Sequence, residues 1–271
     1  MPEGMIARLR TRVGTFVRRH TGAPGLAFFP SFEDADRAST GYDDEAIASV
    51  VSEKTTILKG ELTQASYQLA PIPMQNLVAV SLAARGTQPV SVVEFGGACG
   101  ATFLEADRFL PGLVGSWTII ETRAMTHKGR SLFETDRLRF YSDFNDTGIE
   151  RADLLIMSGS LQFTDDPAAL LRAMIERFLP GAIYVSRTPL IDGPTMFTRY
   201  SAKVSDHGPG QAPVPTEAVR SVPMTFASEQ EFYSIVQDGY EIEVRFPDWG
   251  PPYPHVRRPI RDHAFLARRK P

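Results

Sequence analysis

Three carboxylates stand where apolar, β-branched runs give way to helix-forming stretches. Glu94 lies near the end of Val90–Phe95, Glu121 follows Trp117-Thr118-Ile119-Ile120, and Asp143 comes just after Leu138–Tyr141. The first of these runs turns through Phe95-Gly96-Gly97-Ala98-Cys99-Gly100. Glycines let a backbone turn sharply and approach a ligand without a Cβ clash, and in open α/β sheets ligands lie outside the carboxyl ends of the strands. A dinucleotide fingerprint requires G-x-G-x-x-G. Starting at Gly96 that frame meets Ala98 and Ala101, and starting at Gly97 it meets Cys99 and Thr102, so neither fits. A carboxylate two residues before the first glycine repels a pyrophosphate and suits a cationic ligand. Glu121, twenty-five residues after Gly96, suits a pair of ribose hydroxyls, and Asp143 an adenine amino group with Phe144 packing the ring. The ligand described is a phosphate-free, cationic adenosine derivative, S-adenosylmethionine. The residues expected to hold it are Glu94, Phe95, Gly96, Gly97, Ala98, Gly100, Glu121, Thr122, Asp143, Phe144, Ser158 and Gly159.

A second group of residues suits an acceptor. Ser158-Gly159-Ser160-Leu161-Gln162 follows an apolar run on the same expected edge, so Ser158 and Gln162 face cofactor or acceptor, or simply begin a capped helix. Arg187, leaving the next run, either receives a carboxylate or phosphate in its planar fork or forms a structural ion pair. His127 and His207 are general-base candidates, and Tyr42 and Tyr67 are lid candidates. The five histidines show no metal-ligand spacing, and no metal is expected. A nucleophile elbow G-x-S-x-G does not fit, because Gly159 directly precedes Ser160. Cys99, at a helix N-terminus, is expected to have a lowered pKa and a role as a small packing residue.

The elements that position these residues follow from periodicity. Short β-branched runs at Val90–Phe95, Trp117–Glu121, Leu138–Tyr141, Ala152–Met157 and Ala182–Ser186 alternate with helical patterns, which predicts βαβ units and a parallel sheet covered on both faces. A Pro/Gly-rich loop is expected over Thr188–Pro215, then a helix over Glu229–Gln237 and an antiparallel pair at Tyr240–Phe246 and His263–Arg268, seven strands in all. Before the sheet, helices are expected from Asp43-Asp44 onward and over Met74–Ala84, the latter stopped at Arg85-Gly86. Met5–His20 reads as a basic amphipathic helix, a cap on the domain in preference to a membrane-surface contact. The expected division is a helical extension over 1–87 and a sheet domain over 88–271.

Composition narrows the function class. The 271 residues are 42% hydrophobic and 23% charged, with one Cys and net charge -3, the profile of an ordinary globular chain. One cysteine removes the disulfide-scaffold class, and no apolar run approaches the ~20 residues of a membrane span. Met1–Arg10 lacks the apolar core of a signal peptide, so a cytoplasmic location is expected. The slight acidity argues against nucleic acid as a partner.

Taken together, Gly41-Tyr42-Asp43, Val93-Glu94-Phe95-Gly96-Gly97, Trp117 with Ile120-Glu121, Ser158-Gly159-Ser160-Leu161-Gln162-Phe163 with Asp166-Pro167, and Arg187-Thr188-Pro189 resemble a class I methyltransferase. More narrowly they resemble a methyltransferase family typified by Leptospira LIC-type proteins, often associated with surface-polysaccharide gene clusters. The likeness runs over about Gly41–Asp192, and departs from E-x-G-x-G-x-G at Ala98. It implies a Rossmann-like α/β fold, a seven-stranded mostly parallel sheet ordered 3-2-1-4-5-7-6, and methyl transfer from S-adenosylmethionine to a small-molecule or glycan-like acceptor. Two other classes stay open: a non-catalytic S-adenosylmethionine-binding protein, and a nicotinamide-dependent oxidoreductase, which Glu94 and Ala98 disfavour.

Overall fold

The β-branched runs become strands, and the residues between them become the helices that cover those strands. The computed structural model describes residues 27–84, 89–210, 216–247 and 259–271. In chain order the elements are β1 (Ala27–Phe29), α1 (Phe32–Arg37), α2 (Glu45–Glu61), α3 (Pro71–Ala83), β2 (Val90–Phe95), α4 (Ala101–Phe109), β3 (Val114–Ile120), α5 (Arg123–Phe133), β4 (Leu138–Tyr141) and β5 (Leu154–Ser158). There follow α6 (Pro167–Phe178), β6 (Ala182–Ile191), β7 (Met196–Lys203), β8 (Val219–Ser228), α7 (Glu229–Gly239), β9 (Tyr240–Arg245) and β10 (Ile260–Arg269). The expected basic helix Met5–His20, with its membrane alternative, and the stop at Arg85-Gly86 lie outside the described residues.

Side-chain caps set several helix starts. The Asp44 carboxylate accepts from the amides of Ala46 and Ile47 to begin α2, and Asp166 accepts from Ala169 at the head of α6, where Pro167 fills the first turn. Parallel pairing runs β4-β3-β2-β5-β6. Beyond β6 lies β10, antiparallel to it, and then β9, antiparallel to β10. The direction of winding therefore reverses between β2 and β5, which opens a crevice at their carboxyl ends.

The sheet holds ten strands among the described residues, not seven. The additional three are β1, β7 and β8. The stretch Thr188–Pro215 is not a plain loop: β6 continues to Ile191, and Met196–Lys203 pairs with β8 on one side and β1 on the other. Strand β8 contains Pro223, a residue confined to strand positions that need no N–H donor. Its missing N–H is tolerated because β8 meets β6 only at Ala227 and Ser228.

Both faces of the sheet are buried. Val93, Leu155, Met157, Ile183 and Val185 pack on α6 and α7 through Leu171, Phe178, Phe232 and Val236. On the other face Val92, Ile119, Ile156 and Tyr184 join a cluster with Ile47, Val80, Phe103 and Met125. The helices expected as an extension thus share one core with the strands. No helix among the described residues is long and apolar enough to cross a membrane.

Candidate functional site

The glycine turn after β2 uses the left-handed backbone region at alternate positions, with φ +73° at Gly96, +52° at Ala98 and +88° at Gly100. A Cβ on Gly96 would fall 2.2 Å from Ser160 Cβ, so this turn and the chain after β5 are in direct contact. The Gly96 amide donates to Ile120 O at 2.9 Å, tying the turn to β3. Glu121, just beyond β3, is fastened to that turn. Its Oε1 accepts from the Ala98 amide and its Oε2 from the Thr122 amide, both at 2.9 Å. Burial raises the pKa of this carboxyl, the two amides oppose the rise, and Asp43 adds to it. Glu121 is nevertheless only half-buried, so its open edge borders the crevice.

Glu94 does not line the crevice as expected. Its side chain folds under the turn, 3% exposed, and accepts from Thr102 Oγ1 and Trp117 Nε1 at 2.9 Å each. A Cβ on Gly97 would lie 2.7 Å from Glu94 Oε2, which is the physical reason for glycine there. Burial pushes the Glu94 carboxyl up to about 7 despite both donors, so it buttresses the turn as a partly neutral acid. Cys99 also departs from expectation: burial, reinforced by Glu121, raises its thiol to about 12, and its Sγ sits 3.5 Å from Met125 Sδ. Desolvation outweighs the helix N-terminus at this position.

The opposite wall comes from the chain after β5, the β6 end and the Gly41-Tyr42-Asp43 segment. Asp43 Oδ1 accepts from the Ala124 amide at 2.8 Å, which anchors Tyr42 over the head of α5. The Tyr42 ring lies 5.1 Å from Phe163 and 5.6 Å from His207, edge-on to the latter, and its hydroxyl lies within electrostatic reach of Glu121 and Arg187. Burial, with Glu121 adding, keeps that hydroxyl protonated far above its ordinary range. Ser158 Oγ and Ser186 Oγ are 2.7 Å apart, and Gly159 adopts φ +71° where a Cβ would meet the Arg187 guanidinium at 2.6 Å. His207 has a pKa lowered by burial and then by Lys54, against Asp206 and Asp44, so its imidazole is neutral at pH 7. Its Nε2 and Gln162 Oε1 are buried with no protein partner.

The remaining candidates are dispersed. Asp143 is exposed, and its Oδ1 accepts from the Asn145 amide to cap a short 3-10 turn at Phe144–Thr147. The Phe144 ring packs against Phe178, 6.5 Å away. Tyr67 donates to Glu105 at 3.0 Å and lies beside Phe109, against the flank of α4 and away from Tyr42. His127 is exposed on α5. Thr122 caps α5 through Met125 N.

Lys54 is a residue that sequence reasoning missed. It is 5% exposed and donates to the carbonyls of Ser205 and His207 at 2.6 and 2.9 Å, holding the segment that carries His207. A lysine in mid-helix gives no sequence signal of such a clamp. Trp117 and Phe163 were legible only as motif members, without their partners. Among the described residues no cluster of three or more His, Cys, Asp or Glu could hold a metal ion.

No family model and no curated protein matches the chain. Among solved structures it is similar to the CcbJ methyltransferase from Streptomyces caelestis, at 17% identity over 74% of this chain and 92% of that one, TM-score 0.47. It is similar to human N-acetylserotonin methyltransferase in complex with SAM, at 17% identity over 97% and 67%, TM-score 0.48. The mitomycin 7-O-methyltransferase MmcR is 20% identical over 72% of this chain, which spans about half (54%) of that protein, TM-score 0.42.

Proposed function

We propose that the protein is an S-adenosylmethionine-dependent methyltransferase for a small-molecule acceptor. The observation that carries this reading is the Glu121 carboxylate, held by the Ala98 and Thr122 amides at the rim of the crevice between β2 and β5. A fixed acid beside a left-handed glycine turn suits an adenosine ribose, and the turn offers no basic side chain for a pyrophosphate. Gly96, Gly97, Ala98 and Gly100 give close backbone approach, with Phe95 and Thr122 at the edge of the same crevice, and Ser158 and Gly159 mark its border toward the acceptor. Asp143 and Phe144 would serve as its outer rim. S-adenosylmethionine supplies an electrophilic methyl group on a sulfonium.

The chain's own residues do the rest. Tyr42 and Phe163 wall the crevice against water, and alignment of an acceptor there supplies up to ~7–11 kcal/mol of barrier reduction. Neutral His207, whose ring packs against Tyr42 and whose buried Nε2 has no protein partner, is the candidate base for an acceptor hydroxyl. A glycan-like molecule is the alternative small acceptor, implied by the resemblance to the Leptospira-typified family. A non-catalytic binding protein is the second reading, separated by turnover.

The test is calorimetry of S-adenosylhomocysteine on Glu121→Ala, whose fold is checked by melting. Losing charge-assisted hydrogen bonds weakens affinity by ~1.5–3 kcal/mol. Unchanged affinity removes Glu121 from the site and this reading with it.

A further inference from the structure

Arg187 stands in the crevice without an anion. Its Nη2 donates to Ser158 O at 2.7 Å and to Ser158 Oγ at 3.3 Å. Nε and Nη1 make no hydrogen bond, and no carboxylate lies within ion-pair distance of the guanidinium among the described residues. Desolvation by the surrounding protein lowers its pKa, yet the side chain is exposed. The backbone adds a second sign. Arg187 has φ +51°, an unfavourable conformation for a residue with a Cβ, and such outliers concentrate at ligand clamps. Tyr184, Tyr42, Asp262 and Glu94 are the titratable groups around it.

The location separates this group from the adenosine side. The glycine turn and Glu121 belong to the β2–β3 half of the crevice, whereas Arg187 lies over Gly159 at the β5–β6 half. On that half stand the Tyr42, Phe163 and His207 rings and the unpartnered Gln162 Oε1 and His207 Nε2. We propose that Arg187 receives an anionic oxygen group, a carboxylate or phosphate, on an aromatic acceptor whose ring lies along Tyr42 and Phe163. The inference rests on the methyltransferase reading for the word acceptor, and the anion site itself does not. Each of the two open guanidinium nitrogens can give a charge-assisted hydrogen bond to an oxygen of such a group.

The test titrates benzoate, phenyl phosphate and uncharged benzamide into the native chain, Arg187→Gln and Arg187→Lys, with and without S-adenosylhomocysteine. Melting curves check the fold of each variant. The expected result is binding of at least one anion and not of benzamide. Arg187→Gln loses about tenfold or more in anion affinity, Arg187→Lys recovers part of it, and S-adenosylhomocysteine affinity is unchanged. Protection of native Arg187 from phenylglyoxal by benzoate, read by peptide mass spectrometry, gives the same answer without a substitution. Binding of neither anion, or anion affinity that survives Arg187→Gln, overturns the proposal. A loss of S-adenosylhomocysteine affinity in Arg187→Gln also overturns it, because the guanidinium then holds the cofactor's own carboxylate. If the native chain binds the anion through Arg187 but takes up no S-adenosylhomocysteine, the anion site stands and the methyltransferase reading fails.

Discussion

Replacing Glu94 by Gln tests whether the floor of the glycine turn is a partly neutral carboxyl. Burial moves this group from 4.5 to about 7 in the folded chain. Because the folded value is raised, the stabilisation is full below the unfolded value and is lost as pH rises from near 4.5 through about 7. The displacement is worth about 3 kcal/mol at its limit. Glutamine keeps the geometry: its carbonyl accepts from Trp117 Nε1, and its amide faces the Thr102 hydroxyl, which can reverse its role. Glu105 is raised to about 7 as well, chiefly by burial, so the native chain loses stability over the same pH window from two sources. Urea unfolding of both chains from pH 5 to pH 8.5 isolates the Glu94 share. The stability of Glu94→Gln relative to native is expected to rise by about 2.5 kcal/mol across that range. Parallel stability curves for the two chains would refute the reasoning, because Glu94 would then be ionised in the folded state at little cost.

Other substitutions probe the same geometry. Gly129→Ala puts a Cβ 2.5 Å from the buried Phe140 ring, so the ~1 kcal/mol helix preference for alanine is outweighed by overpacking and the net loss is about 1–3 kcal/mol by urea midpoint. Ala98→Gly relieves the left-handed conformation at φ +52° and stabilises by ~1 kcal/mol, with S-adenosylhomocysteine affinity retained in calorimetry. His207→Asn is expected to lower kcat by about 10²–10⁴ for a hydroxyl acceptor while leaving cofactor affinity unchanged. In the native chain, burial holds His207 below its ordinary value, so the rate reaches its plateau before pH 7. A rate still climbing above pH 8 excludes His207 as the base.

Periodicity alone determined the alternation of strands and helices from Val90 to Ser186, because β-branched runs, glycine stops and capping acids act over a few neighbouring residues. It also placed the glycine turn and Glu121 at strand ends, since both follow β-branched runs. Partnership, however, is decided across the fold. Whether a strand-end acid faces ligand or core depends on which donors pack beneath it. Glu94 found Thr102 and Trp117 and turned inward, while Glu121 found two backbone amides and stayed at the rim. Met196–Lys203 and Val219–Ser228 became strands by pairing with each other, and with β1 and β6, contacts between distant segments that Pro223 and the neighbouring Gly193-Pro194 do not signal. The position of Tyr42 over the crevice, and of Tyr67 away from it, likewise rests on Asp43 reaching α5 and Glu105 reaching Tyr67. Hydrogen bonds and burial between residues distant in the chain made those choices, and no local pattern encodes such distances.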